Sequence, residues 1–418
     1  MVEGRKHGSR VLNLTKPKPL RTEIVELGGV ISFGANNTFP QDISLRARRS
    51  PTYRAVLRKK NTYINGSGLA VDDSATENYI AMVNEKESLW EVMRKAIEDY
   101  SNGGNYYLEI VKPTAESDTA FIFRRDWTQC RVNSKDTGVF IARDWKHIND
   151  GQDDRLALIP KYPNFGRAKI GAQLDKLIKD EVSFGVRSIL HVKNEEPEFH
   201  FYGLPDGLAA YVSGWHDIDY NIGRFNMSRF DNKFICSGIL FIPADYTEEE
   251  AEQAQQMIDE DYTGEDNNSR VLMMYGTAEG GGRAEFVPLN DVDKGTFLDL
   301  HTEAEKFIIK SEGFPPVLAG ISEPGRLGNN QDRQIIYDEY INTEVQEMQE
   351  DILKPVRRVL DDLGFSADDL RFINKMPWSM LSTEQFLEIF KEDQQVTEIL
   401  KEQFLRRLAD PSTKTNNG

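Results

Sequence analysis

YGLPDGLAAYVSGWHDIDYNIGRF (Tyr202 to Phe225) and KGTFLDLHTEAEKFIIKSE (Lys294 to Glu312) are the two stretches that decide the fold. In the first, Leu208, Tyr211, Trp215, Ile218, Ile222 and Phe225 recur at alternating gaps of three and four. Such spacing lines up side chains on one face of an α-helix. In the second, Phe297, Leu300, Ala304, Phe307 and Ile308 keep a similar phase. Between the two lie a strand-like run at Cys236–Ile242, an acidic helical stretch and two further strand-like runs. Pro315-Pro316 then leads into a glycine-rich loop. Two long amphipathic helices bracketing a small insert read as a mechanical part rather than a catalytic centre.

Composition sets the outer limits. The 418 residues, 39% of them hydrophobic, are enough for a sizeable core divided among two or three subdomains. No window approaches the roughly 18 consecutive apolar residues of a membrane span. MVEGRKHGSR at the start is basic but has no apolar stretch behind it, so no signal peptide is expected. Cys130 and Cys236 lie far apart, which argues against a disulfide or zinc framework and for a reducing compartment at synthesis. Charge is unevenly placed. Residues 1–60 hold 13 of the 51 Lys and Arg but 4 of the 68 Asp and Glu, a net of +9 that leaves −26 for the remainder. A basic arm on an acidic body suggests two different neighbours, although a solvated tail has the same composition. So acidic a body does not suit general nucleic-acid binding, which needs Lys and Arg to displace counterions. It does suit a surface that lets DNA pass without sticking.

Along the chain, the first 40 residues are expected to be irregular. Ser50 to Ile64 reads as a helix, with Ser50 as N-cap, Pro51 at its first position, and Ala55, Tyr63 and Ile64 among its apolar residues. Ser88 to Tyr100 is a second helix, carrying Leu89, Val92, Met93 and Ile97 on one face. Strands are expected at Tyr106–Val111, Phe121–Phe123, Gln129–Val132, Val139–Ala142 and Ser188–Val192. A long helix follows from Ile335 to about Leu363, kinked at Pro355, then an extended piece at Leu370–Ile373 and a final helix at Thr383–Leu408.

Enzyme-like signals are weak. GTAEGGGR (Gly276 to Arg283) lacks the lysine–serine/threonine ending of a phosphate-binding loop and reads as a hairpin turn. His301 and Glu305 lie one helical turn apart, yet no second His or Cys stands nearby to complete a metal site. His191 and His200 flank an acidic loop without a nucleophile motif, and Asp217 and Asp219 are two apart on a helix and do not face each other. No catalytic residue, no metal ligand and no cofactor is therefore expected.

The order of these pieces resembles a known family. A mixed α/β unit is followed by YGLPDGLAAY opening a helix, RFDNKFICSGIL (Arg229 to Leu240) closing it, TEEEAEQAQQMI as the next helix, and GFPPVLAGI at Gly313–Ile321. Together they resemble the portal proteins of tailed bacteriophages, in the group common among long-tailed phages, over about Phe39 to Leu363. The resemblance implies an α+β portal fold: a mixed α/β wing, a two-helix stem, a small α/β clip and a C-terminal helical crown. By position the basic arm would be 1–39, the wing 40–205 and 333–379, and the stem helices 206–232 and 293–314. The clip would be 233–292, the tunnel-loop region 315–332, and the crown and tail 380–418.

The resemblance also implies a homo-oligomeric ring, usually of twelve copies, at one vertex of the capsid. Double-stranded DNA would pass through it without sequence preference during packaging and ejection. Partners would be the terminase large subunit, a head–tail adaptor, and the major capsid and scaffolding proteins. No membrane is involved, and the location is the virion, after assembly in the host cytoplasm. Stem packing falls to Trp215, Ile218, Ile222, Phe225, Phe297, Leu300 and Phe307, on helices that would rise up to roughly 39 Å. Docking at the clip falls to Glu248, Glu249, Glu250, Glu252, Asp259, Glu260 and Asp261, where Asp245–Asp266 holds ten acidic residues and no basic one. Helix capping and solubility account for the same cluster equally well. In the loop, Glu323, Arg326, Asn329, Asn330, Asp332 and Arg333 would line the DNA channel, against the alternative of an ordinary surface loop. Other readings are a different virion or prophage structural protein, such as a head–tail adaptor, and a nucleotide- or metal-dependent enzyme.

Overall fold

A short hairpin, β1 (Glu26–Leu27) and β2 (Val30–Ile31), comes first among the described elements, turning at Gly29 with φ of +93°. The computed structural model of the protein describes residues 26–27, 29–34, 36–148, 153, 155–170, 185–231, 236–243, 270–276, 285–288, 294–320 and 330–374. The hairpin corrects the expectation of an irregular stretch at 26–31, while residues 1–25 lie outside the described residues. Strands of two residues are too short to show any alternation in sequence.

Helices α1 (Phe39–Arg49) and α2 (Pro51–Asn65) meet at Ser50, whose hydroxyl accepts from the Tyr53 amide at 3.1 Å while Pro51 takes the first helical position. α2 buries Tyr53, Val56, Leu57, Lys60 and Ile64, whereas Ala55 faces out. After β3 (Leu69–Ala70) and α3 (Ser74–Ile80), α4 (Leu89–Gly103) begins in a capping box formed by Ser88 and Glu91. Seven strands then follow: β4 (Asn105–Lys112), β5 (Phe121–Arg125), β6 (Cys130–Val132), β7 (Gly138–Ile141), β8 (Ala157–Pro160), β9 (Lys169–Ile170) and β10 (Val186–Lys193).

β4 lies between β10 and β5 in an antiparallel sheet, with Glu109 opposite Ile189 on one side and Phe123 on the other. It is buried along nearly its whole length, as expected of a central strand covered on both faces. A second antiparallel sheet runs β6–β7–β8–β9. α4 contributes Val92, Met93, Ala96 and Ile97 to the main core, each less than 1% exposed. Burying each larger apolar side chain stabilises the body by about 1.5–3 kcal/mol.

The chain then leaves this body through α5 (Leu208–Val212) and α6 (Trp215–Asp231), forms β11 (Cys236–Pro243), β12 (Arg270–Gly276) and β13 (Glu285–Pro288), and returns along α7 (Lys294–Ser311). α8 (Pro316–Ala319), α9 (Asn330–Tyr340), α10 (Gln346–Asp362) and β14 (Arg371–Phe372) complete the described chain. α10 packs Ile352, Leu353, Val356, Val359 and Leu360 into the same core as α4, and β14 pairs with β3 some 300 residues upstream. Segment 330–374 thus belongs to the α/β body.

Four expectations need correction. The first long helix is broken at Ser213–Gly214, where Gly214 has φ of +82°, so α6 spans about 26 Å instead of roughly 39 Å. GTAEGGGR is not a hairpin turn, because β11 sits between β12 and β13, parallel to the first and antiparallel to the second. A parallel pair needs a crossover, and the acidic stretch between β11 and β12 is long enough to make one. The helix after the glycine-rich loop begins at Asn330 rather than Ile335. It is also interrupted by a π-helical turn at Ile341–Val345, and Pro355 lies inside α10. The Thr383–Leu408 helix lies outside the described residues.

Candidate functional site at the root of the helical hairpin

α6 and α7 pack side by side and run antiparallel. Trp215, near the start of α6, stacks on Phe307, near the end of α7, with ring centroids 4.6 Å apart. Further along, His301 Nδ1 lies 3.8 Å from Asp219 Oδ1. On α6 the most buried side chains are polar rather than apolar, among the residues whose side chains are described. On α6 the fully buried residues are His216 and Asp219, while Trp215, Ile218 and Ile222 are half-buried. On α7, Ala304 and Ile308 are buried, Leu300 is half-buried and Phe307 is 47% exposed. The stripe that made the helix legible is therefore only partly covered by the chain's own body.

Asp219 explains why a carboxylate lies inside. It accepts from Ser50 Oγ at 2.5 Å, from the Thr52 amide at 3.1 Å and from Thr52 Oγ1 at 3.1 Å. The carboxylate thereby satisfies the Thr52 amide, which has no partner within the helix, and sits at the positive end of α2. Arg46 pairs with Asp217 at 3.4 Å and lies over the Tyr211 ring, tying α1 to the same root. His216 is 3% exposed and stacks on Tyr53 at 4.1 Å. Neither of its ring nitrogens has a hydrogen-bond partner among the described residues. Burial, together with nearby Arg46, pushes its pKa down to about 4, so the ring is neutral at pH 7.

A second polar knot lies about two turns along α2. Lys60, 2% exposed, donates to Asp206 Oδ2 at 2.8 Å, to Glu312 Oε2 at 3.2 Å and to the Glu312 carbonyl at 3.2 Å. Burial opposes the lysine's charge, but the Glu312 and Asp206 carboxylates outweigh it and hold its pKa above the ordinary value. Burial raises Glu312, against the pull of Lys60. Glu312 fits because Gly207 has no Cβ; one there would lie 1.8 Å from Glu312 Oε1.

Of the residues singled out from sequence, Trp215, Ile218, Ile222, Leu300 and Phe307 come together on the hairpin, with Phe225 and Phe297 further along the same two helices. Asn330, Asp332 and Arg333 start α9 and are helical rather than part of a loop, which corrects their placement. Glu323, Arg326 and Asn329 lie outside the described residues, as do Glu248, Glu249, Glu250, Glu252, Asp259, Glu260 and Asp261. Sequence reading missed Lys60, Asp206, His216 and Glu312. The available signal was a lysine and a histidine at positions in phase with buried apolar neighbours. His191 stacks on Tyr107 and meets Asn105 Oδ1 at 3.0 Å, a structural role within the sheet. Among the described residues no three His, Cys, Asp or Glu side chains converge to hold a metal, and no helix is long and apolar enough to cross a membrane.

No family model matches the chain. An uncharacterized protein of Rickettsia bellii (strain RML369-C) is 27% identical over 164 residues, 38% of this chain and 41% of that protein. The match thus spans well under two thirds of that relative. A chain of the native gene transfer agent particle superimposes with a TM-score of 0.52 at 15% identity, covering 91% of this chain and 92% of its own. A chain from the neck of the native particle, computed with C12 symmetry, gives the same score over 90% and 91%. An HK97-family phage portal protein from Corynebacterium diphtheriae gives 0.44 at 10% identity. The chain therefore has the fold of a protein built into the gene transfer agent particle and its neck.

Proposed function

We propose that this chain is a portal protein, the subunit of a closed ring at one vertex of a capsid through which double-stranded DNA enters and leaves. The observation that carries this reading is the fold shared along nine-tenths of the chain with a component of a particle neck treated under twelvefold symmetry. The half-covered stripe of Trp215, Ile218, Ile222, Leu300 and Phe307 supports it. A closed ring gives such a face a neighbouring copy to pack on, and the interface would repeat head-to-tail. On this reading the chain acts by symmetry and surface charge, and nucleotide hydrolysis belongs to a separate terminase motor.

The acidic run at Asp245–Asp266 would form a collar that steers basic surfaces of the terminase and later of a head–tail adaptor. The segment around Glu323, Arg326, Asn329, Asn330, Asp332 and Arg333 would face DNA, its two arginines touching phosphate while the acids limit adhesion. The basic arm at 1–39 would contact a neighbouring copy or the capsid lining. Removing residues 1–40 and finding normal ring yield and capsid incorporation would dismiss the role of the arm.

Native mass measurement with negative-stain images of the same sample tests the main reading. Rings of about twelve chains with a central hole are expected. A chain that stays monomeric or dimeric, even after addition of scaffolding protein and capsid lysate, would overturn it.

A further inference from the structure

Segment 206–312 leaves the α/β body and returns to it at two places, and both are held by one buried side chain. Asp206 stands at the departure, just before α5, and Glu312 at the return, just after α7. Lys60, in the middle of α2, bonds both carboxylates. Lys60 and Glu312 are each 2% exposed, whereas the Asp206 side chain is 37% exposed at the rim.

Three further features surround this knot. A cavity of about 280 Å³ opens beside it, lined among others by Lys60, Asp206, Glu312, Tyr340 and Glu344. Tyr340 and Glu344 belong to the π-helical turn at Ile341–Val345 and its preceding residue, an element that interrupts an otherwise regular helix. Each root also has a glycine in the left-handed region with open space around it, Gly214 at φ +82° and Gly313 at φ +62°. Room to move, a π-helical turn and Gly313 thus meet at a single lysine.

We propose that Lys60 is a two-ended latch that makes both roots of the helical hairpin engage and release together. The physical reason is the cost of leaving a buried charge alone. If either carboxylate withdraws, Lys60 is left partly uncompensated in a buried site, and its long side chain moves into the cavity and pulls on the remaining partner. The two roots then loosen together instead of one fraying alone. The consequence for a channel rests on the portal reading, because the tilt of this hairpin in a ring would set the width of the passage. The coupling itself does not depend on that reading.

Hydrogen–deuterium exchange on the full-length protein tests it, comparing the unaltered chain with Asp206→Asn, Glu312→Gln and Lys60→Met. Each substitution is expected to raise exchange roughly tenfold or more at both roots, residues 204–214 and 308–314, with α4 and β4 unchanged. Should Lys60→Met fail to fold, the two carboxylate variants decide alone. Asp206→Asn acting only at 204–214 while Glu312→Gln acts only at 308–314 would overturn the latch. So would a rise spread evenly over α4 and β4, which marks general loss of stability. Negative-stain images of the same samples report on the ring separately, so absence of rings would count against the portal reading and leave the exchange result standing.

Discussion

His216 makes a sharp test of the packing at the hairpin root, and the substitution is His216→Phe. Its ring stacks on Tyr53 at 4.1 Å and lies 6.5 Å from the Tyr211 ring. Phenylalanine preserves the flat shape and removes two nitrogens that have no partner among the described residues. The groups that bear on its charge are Arg46 from α1, which disfavours protonation, and Asp219 one turn along, which favours it. Burial is the largest influence, and the folded pKa falls from 6.5 to about 4.

The sign follows directly. Between those values the unfolded chain binds a proton at this ring and the folded chain does not, so stability rises with pH. The contribution is fully present above pH 6.5 and is lost as pH falls toward 4. Each unit of displacement is worth about 1.4 kcal/mol, so moving from pH 7.5 to 4.5 should remove about 2–3 kcal/mol through this residue alone. Urea unfolding followed by far-UV circular dichroism at both pH values measures it. His216→Phe should lose about 2–3 kcal/mol less on acidification than the unaltered chain, whatever the carboxylates common to both contribute. An equal acid loss in both proteins would refute the reasoning and place a bound partner or water on the ring.

Three further outcomes are expected. Ser88→Ala should cost about 1 kcal/mol in urea unfolding, because it removes the acceptor for the Glu91 amide at the start of α4. Glu109→Ala should cost about 3–5 kcal/mol, since Glu109 is fully buried on β4 and pairs with Arg125 from β5 and Arg187 from β10; a loss below about 1 kcal/mol would show that water already screens those arginines. Trp215→Ala with Phe307→Ser removes the exposed stack, and native mass should show ring loss in a chain that keeps its circular dichroism spectrum.

The helices that were readable in advance announce themselves locally. Ser50 with Pro51, and Ser88 with Glu91, are capping signals that operate within four residues, and both helices form where these signals place them. The Lys294–Ser311 helix was likewise legible from its three-and-four spacing. The break at Gly214 was harder to see, because the apolar spacing runs on across it and only the backbone conformation shows the interruption. Long-range pairing was not legible at all. Nothing near Arg371 points to Leu69, and nothing in GTAEGGGR shows that its flanking strands lie on opposite sides of β11.

The candidate site divides in the same way. Its apolar half, Trp215, Ile218, Ile222, Leu300 and Phe307, could be named from periodicity, since helical geometry alone puts those side chains on one face. Which way that face turns depended on the body it meets. On α6 periodicity would have sent the stripe inward, yet His216 and Asp219 are the residues most buried there, because Asp219 completes the start of α2, whereas on α7 Ala304 and Ile308 do turn inward. The Lys60 knot joins residues 146 and 252 positions apart. A buried charge is tolerated only where tertiary folding brings its opposite within reach, so such a partnership has no signature in any local stretch of chain. Local spacing and capping determined the helices from the sequence itself, while only the tertiary structure decided which faces they bury and which charges they bring together.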